Sequence, residues 1–145
     1  MTLDELNYTF PNGFHDAEVY SIELNYRAGT AKLHLSLWVG SMDDPQPERE
    51  SYQEATVIVT GLCFCSIDPP DPTYPFIPHG KYIDVSGDPA NIDRLPSLPD
   101  LLSKLPADAW CYRFFVTDWN RFIHIAGRNA EITLIGEKYI HPECK

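Results

Sequence analysis

The sequence has no long hydrophobic run and few basic residues, and each shortage excludes a class of protein. No apolar run approaches the roughly 20 residues that a membrane-spanning helix requires. The chain has 11 Lys and Arg residues against 21 Asp and Glu residues, which gives a formal net charge of −10. No cluster of basic residues offsets this charge, which repels phosphate groups. We therefore expect neither a membrane span nor nucleic-acid binding.

The sequence also lacks the common catalytic and metal-binding signatures. It contains no Gly-x-Ser-x-Gly, Gly-x-Gly-x-x-Gly or Gly-x-x-x-x-Gly-Lys sequence, the motifs that mark many hydrolases and nucleotide-binding proteins. Their absence leaves other kinds of enzyme open. None of the four cysteines belongs to a Cys-x-x-Cys pair, so no motif predicts a zinc site or another cofactor.

Residues 1–15 do not resemble a signal peptide. They carry acidic side chains where a signal peptide has basic ones, and they contain no apolar segment. This pattern predicts a cytoplasmic protein. Because the cytosol is reducing, we expect the cysteines to be thiols rather than disulfides; they are Cys63, Cys65, Cys111 and Cys144.

The composition suits one folded domain that spans residues 1–145. Hydrophobic residues make up 43% of the chain and aromatic residues 12%. At this length a chain can bury about two-thirds of its unfolded surface without disulfides or metals. We therefore expect a packed globular domain.

Two segments near the amino terminus alternate between apolar and polar residues. Ala17–Tyr26 and Ala31–Val39 both show the period of two that is typical of a half-buried strand, and Arg27–Thr30 supplies a turn with glycine. The pattern predicts a β-hairpin in which Leu24 lies opposite Leu33. The alternating apolar side chains, from Tyr20 to Tyr26 in one strand and from Leu33 to Val39 in the other, then fall on one face of the sheet.

The rest of the chain contains strand patterns, one helix pattern and a long proline-rich loop. Eight of the 13 prolines fall between Pro69 and Pro99, which excludes a regular central strand over most of that stretch. Further strands are predicted over Ala55–Ile67, Lys81–Val85, Cys111–Thr117, Phe122–Ala126 and Ala130–Glu137, and a short helix is predicted over Leu98–Leu105 after an N-cap at Ser97. The sequence therefore predicts a β-rich α+β fold, an antiparallel curved sheet or sandwich of six to seven strands with one short helix.

The segment Phe14-His15-Asp16-Ala17-Glu18 has an unusual density of functional side chains. His15 and Asp16 could act as a general base and its partner, or could bind a metal with help from His79, Asp68 or Asp71 in the proline-rich loop. A structural role is the alternative, because neighbouring residues on a strand face opposite sides. Such residues beside a turn commonly hydrogen-bond to free backbone groups.

Three further residues are candidates for an interaction surface. In the expected hairpin register Glu23 lies beside His34, where the two side chains could form a surface ion pair. Trp38 could contribute a large contact area to a partner, because tryptophan loses little entropy on binding. The alternative for this tryptophan is ordinary packing at the edge of the core.

The opening Phe14-His15-Asp16-Ala17-Glu18-Val19, followed by a hairpin to Val39, resembles the start of small bacterial immunity-type domains of polymorphic toxin systems and of related uncharacterised families. The resemblance covers about the first quarter of the chain. It implies a non-enzymatic cytosolic protein that binds and neutralises a partner toxin. It carries over no toxin-contacting residue, because such families diverge at the binding surface.

Two functions remain open from the sequence. The first is a non-catalytic cytosolic binding domain, an immunity-like inhibitor whose acidic surface attracts a basic protein partner. The second is a metal-assisted enzyme that uses His15 and Asp16. The sequence identifies neither the partner nor a substrate.

Overall fold

The computed structural model describes residues 1–75, 82–89 and 98–142. Within these ranges the chain forms one antiparallel sheet of eight strands and two short helices, neither of which could span a bilayer. The strands are β1 (Ala17–Asn25), β2 (Thr30–Trp38), β3 (Ser51–Thr60), β4 (Phe64–Ile67), β5 (Ile83–Pro89), β6 (Trp110–Val116), β7 (Arg121–Gly127) and β8 (Asn129–Ile140), and the helices are α1 (Leu3–Asn7) and α2 (Leu98–Ser103). The predicted β-rich class is confirmed, with one strand more than expected.

The sheet has the strand order β4-β7-β6-β5-β1-β2-β3-β8. Only Arg128 separates β7 from β8, although these strands occupy the second and the last positions in that order. The backbone N–H of Arg128 donates to the carbonyl of Thr60, at 3.0 Å, and that of Cys63 donates to the carbonyl of Ala126, at 2.7 Å. The two ends of the sheet therefore approach each other, which requires the sheet to curve strongly.

The amino-terminal hairpin forms as predicted, but its predicted register is wrong. Leu24 pairs with Ala31, two residues away from the expected partner Leu33, because the turn begins at Tyr26. The register also shifts between Val19 and Ser21, where β1 contains a bulge. A bulge reverses which side chains face the core. Val19 is consequently buried, and the side chain of Tyr20 joins the polar face of the sheet.

The predicted strand Ala55–Ile67 is two strands. The chain leaves β3 after Thr60, turns at Gly61 with φ +61°, and enters β4 at Phe64. This break supplies the eighth strand. This position requires glycine, because its backbone is left-handed and the side chain of Arg128 leaves no room for a Cβ. β3 itself begins at Ser51, four residues before the predicted strand.

Helix α1 was not predicted, although its signal is present in the sequence. Thr2 and Glu5 form a capping box in which Glu5 N donates to Thr2 Oγ1, at 3.0 Å, and Thr2 N donates to Glu5 Oε2, at 2.7 Å. Leu3 and Leu6 of this helix are buried in the core. The predicted helix at Leu98 is present as α2, while its expected N-cap lies outside the described residues.

The two faces of the sheet differ in composition. The inner face carries the core, which Phe14 and α1 cover. Its buried side chains are Leu33, Leu35, Leu37, Ala55, Val57, Val59, Val85, Tyr112, Phe114, Val116, Ile123 and Ile125. The outer face of β1, β2, β3 and β5 carries polar side chains, because alternate residues of a strand point in opposite directions. The candidate site lies on this outer face.

Candidate functional site

Seven residues on the outer face line a cavity of about 230 Å³, which we call the acidic cleft. They are Asp16, Glu18, Glu50, Tyr52, Tyr82, Asp84 and His141. Four of the seven carry carboxylates, two carry phenol rings and one carries an imidazole. The arrangement is suited to a cationic group that also contacts aromatic surface.

Strand pairing brings these distant residues together. Glu18 of β1 lies opposite Asp84 of β5, and Tyr52 of β3 lies opposite Tyr139 of β8. The backbone N–H of His141 then donates to the carbonyl of Glu50, at 3.0 Å. The cleft is thus built from both halves of the sheet. It depends on the junction between β1 and β5.

Glu18 forms the floor of the acidic cleft. Only 5% of this residue is exposed, and its Oε1 is hydrogen-bonded to Nε2 of His141. The hydroxyl of Tyr20 lies 3.4 Å from the other carboxylate oxygen. A buried carboxylate needs such partners, because burial without them strongly disfavours its charge. The bulge in β1 supports this arrangement, since it turns Tyr20 onto the outer face.

The pKa of the Tyr52 phenol reflects the burial and the negative charge of the cleft. Burial raises the pKa of Tyr52 well above its ordinary value, and the carboxylates of Asp16, Glu18, Glu50 and Asp84 raise it further. The same hydroxyl donates to the backbone carbonyl of Asp16, at 3.3 Å. A further negative charge, on this phenol or on a bound group, is therefore disfavoured beside the four carboxylates. The electrostatics of the cleft therefore select cations.

His15 and Asp16 lie together at the rim of the cleft. Asp16 precedes β1 and has φ +54°, so its carboxylate turns back and its Oδ2 lies 3.5 Å from Nε2 of His15. The other ring nitrogen of His15, Nδ1, lies 3.3 Å from Oγ of Ser86. The side chains of His15 and Asp16 are 64% and 56% exposed. The two side chains contact each other, and His15 also contacts a serine that the sequence pattern did not single out.

No metal centre is assembled from the described parts of the chain. Within residues 1–75, 82–89 and 98–142, no group of three or more His, Cys, Asp or Glu side chains could hold a metal ion. His79, the third predicted candidate, lies outside the described residues. Asp71 of the proline-rich loop instead binds Arg121, at 3.0 Å. The amide and hydroxyl of Thr73 lower the pKa of Asp71 to about 2, with smaller contributions from Asn120 and Arg121.

The three predicted surface residues have other partners. Glu23 lies opposite Lys32, so the predicted pairing of Glu23 with His34 is wrong. His34 Nε2 instead lies 3.1 Å from Oε2 of Glu54. Nε1 of Trp38 donates to the backbone carbonyl of Arg49, at 2.7 Å. Trp38 is thereby anchored to the segment that precedes β3, with its ring centre 6.2 Å from that of His15.

Cysteine chemistry is disfavoured at two of the thiols. Cys63, Cys65 and Cys111 are free. Burial raises the pKa of Cys65, and burial together with Cys63 raises the pKa of Cys111 to about 11. Such thiols are protonated at neutral pH and therefore poor nucleophiles. Cys144 lies outside the described residues.

No family model matches this chain, and no curated protein or solved structure matches it either. The function must therefore be argued from the geometry and charge of the outer face.

Proposed function

We propose that this protein is a binding domain that captures a basic partner protein, and that the acidic cleft receives an arginine or lysine side chain of that partner. The observation that carries the proposal is the convergence of four carboxylates and two tyrosines around one cavity. A cation there gains charge-assisted hydrogen bonds to the carboxylates and contact with aromatic rings.

The net charge of the whole chain supports the same proposal. With a formal charge of −10, the protein attracts a basic partner over a distance of several ångströms. This attraction raises the rate of encounter, while the cleft provides specificity. Binding is the main role, and catalysis is not needed for it.

The sequence resemblance to immunity-type domains suggests the biological setting. We propose a cytoplasmic inhibitor whose partner is a basic toxin. The cleft includes Asp16 and Glu18, which belong to the opening segment on which the resemblance rests. A toxin gene beside the gene for this protein would support the setting, and purification of the complex would identify the partner.

The test compares two double variants that change the net charge equally. Asp16→Asn with Glu50→Gln removes two carboxylates from the cleft, whereas Glu131→Gln with Glu137→Gln removes two exposed carboxylates from β8. The partner is first isolated from the native host with the wild-type protein and identified. Its dissociation constant for each purified variant is then measured by calorimetry at low and high salt.

We expect the cleft variant to weaken binding by about tenfold or more, and the β8 variant to weaken it far less. Added salt should weaken binding of the wild-type protein. Equal losses for the two variants would show that net charge alone attracts the partner. Salt-insensitive binding, or a partner without a basic surface, would contradict the proposal.

A further inference from the structure

Three side chains at the rim of the acidic cleft form a continuous chain of contacts. Ser86 Oγ lies 3.3 Å from Nδ1 of His15, and Nε2 of the same imidazole lies 3.5 Å from Oδ2 of Asp16. A hydroxyl, an imidazole and a carboxylate in this order are the parts of an activated nucleophile. The opening segment contributes two of them, and β5 contributes the third.

The fold explains why these residues meet. Ala17 of β1 pairs with Val85 of β5, so the antiparallel register places Asp16 next to Ser86. Asp16 lies just before β1 and has a left-handed backbone with φ +54°, which few non-glycine residues adopt. This conformation directs its carboxylate towards His15 rather than to the opposite side of the chain. Backbone strain of this kind is concentrated at functional sites.

We propose that Ser86 is a nucleophile for acyl transfer, that His15 is its general base, and that Asp16 is a positioning residue for His15. In the neutral imidazole one nitrogen carries a proton and the other accepts one. A proton on Nε2 faces the Asp16 carboxylate, which leaves the Nδ1 lone pair facing the Ser86 hydroxyl. The carboxylate thus selects the tautomer that a general base requires.

The reaction is the hydrolysis of an ester. Ser86 Oγ bonds to the acyl carbon while its proton passes to His15 Nδ1, and the departing alcohol takes that proton as its bond to the acyl carbon breaks. A water molecule then attacks the acyl-serine and gives one proton to His15 Nδ1. That proton returns to Ser86 Oγ as the carboxylic acid leaves. Water is the only co-reactant, and no oxidation or reduction occurs.

The acidic cleft suggests the class of substrate. Asp84 and Ser86 lie on the same side of β5, about 7 Å apart along the strand. A cationic group in the cleft would therefore place an acyl carbon a short distance away at Ser86. We infer that the substrate is an acyl ester with a nearby amino or guanidinium group. This preference rests on the cation-binding cleft proposed above, whereas the reactivity of Ser86 does not.

The first experiment tests the nucleophile alone. The purified full chain is treated with a fluorophosphonate, and the modified residue is identified by peptide mass spectrometry. We expect labelling at Ser86 that is absent in Ser86→Ala and about 100-fold slower in His15→Gln. Ser21→Ala, which changes an exposed serine of β1, is the matched control and should label like the wild type. No labelling of Ser86, or equal rates with and without His15, would overturn the proposal.

The second experiment tests the substrate class and the role of Asp16. Hydrolysis of the 4-nitrophenyl ester of acetyl-arginine is compared with that of the uncharged norleucine analogue. We expect the arginine ester to be preferred by about tenfold in kcat/KM and Asp84→Asn to abolish this preference. Asp16→Asn should lower kcat for the norleucine ester and leave its KM unchanged.

The outcomes separate the two proposals. Labelling of Ser86 without preference for the arginine ester would retain the nucleophile and contradict the cationic substrate. Hydrolysis that persists in Ser86→Ala would contradict the nucleophile, whatever the result of the partner-binding test. A rise in KM for the norleucine ester in Asp16→Asn, with kcat unchanged, would contradict the positioning role.

Discussion

At the scale of single residues, Asp16 shows where a local rule fails. Neighbouring residues on a strand point to opposite sides, which argued against cooperation between His15 and Asp16. Asp16 precedes β1, however, and its positive φ returns the carboxylate to His15. Sequence alone does not reveal a left-handed aspartate, because aspartate adopts this conformation only in a minority of cases. The segment could be predicted as a candidate site, but its geometry could not.

The backbone of Asp16 leads to a prediction about stability. Asp16→Ala should lower the free energy of unfolding by about 1 kcal/mol, since alanine is strained in a left-handed conformation. Asp16→Asn should not lower it through the backbone, because asparagine adopts that conformation readily. Urea denaturation measures both values. Equal losses for the two variants would show that the lost charge, not the backbone, is responsible.

His124 predicts a loss of stability in mild acid. The residue is 1% exposed, and neither ring nitrogen has a hydrogen-bond partner within the described residues. Burial lowers the pKa of His124, Asp68 acts in the opposite direction, and Arg113 lowers it again. Below about pH 6.5 the unfolded chain therefore takes up a proton that the folded chain resists. The free energy of unfolding falls as the pH drops through this window.

The measurement compares urea denaturation of the wild type and of His124→Gln between about pH 7 and pH 5. The stability of the wild type should fall more steeply than that of the variant. Parallel curves for the wild type and His124→Gln would contradict a role of His124 in the pH dependence.

At the scale of elements, the sequence predicted where the strands lie better than it predicted their ends and their registers. The alternation placed Ile22, Leu24 and the leucines of β2 on the core face correctly, because burial is the main cause of that pattern, but Tyr20 lies on the other face. The register failed because the turn length and the bulge near Tyr20 depend on backbone geometry. Helix α1 is only five residues long, so its apolar pattern is weak and only its capping box marks it.

The role of Gly61 in the turn between β3 and β4 can be tested by comparing alanine substitutions at Gly61 and at Gly29. Gly61 and Gly29 both have positive φ, but their surroundings differ. A Cβ added at Gly61 would lie 2.8 Å from the Cβ of Arg128, whereas a Cβ added at Gly29 would have no atom within 4 Å. Gly29→Ala should cost about 1–2 kcal/mol through the backbone alone. Gly61→Ala should cost about 1–3 kcal/mol more, because neighbouring atoms must move. If thermal or urea unfolding gives equal losses of stability for Gly61→Ala and Gly29→Ala, the crowding between Gly61 and Arg128 is contradicted.

At the scale of the whole molecule, the acidic cleft could not be predicted from the sequence. Its residues come from the ends of several strands that pair only in the folded sheet. The opening segment was recognised as a candidate, and the acidic net charge indicated a basic partner. Glu50 and Tyr52 precede the predicted strand Ala55–Ile67, and no local pattern connects them with Asp84 or His141.

The cleft also predicts a cost in stability. Four carboxylates held near one another repel, which disfavours the compact state. The cleft variant, Asp16→Asn with Glu50→Gln, should therefore be more stable than the β8 variant, Glu131→Gln with Glu137→Gln. In low salt we expect its free energy of unfolding to be higher by about 0.5 kcal/mol. In about 1 M salt the difference should nearly vanish, because exposed charges are screened. A difference that is independent of salt would show a cause other than repulsion.

The pairing of β3 with β8 has a consequence for the route of folding. Thr60 lies beside Asn129 in the sheet, and the whole of β4, α2, β5, β6 and β7 lies between them in the chain. Joining these two strands closes a very large loop, whose entropy must be lost before the ladder contributes any stabilisation. Folding is therefore expected to be slow for a chain of this size, as for other proteins of high contact order, with the β3–β8 ladder completed late.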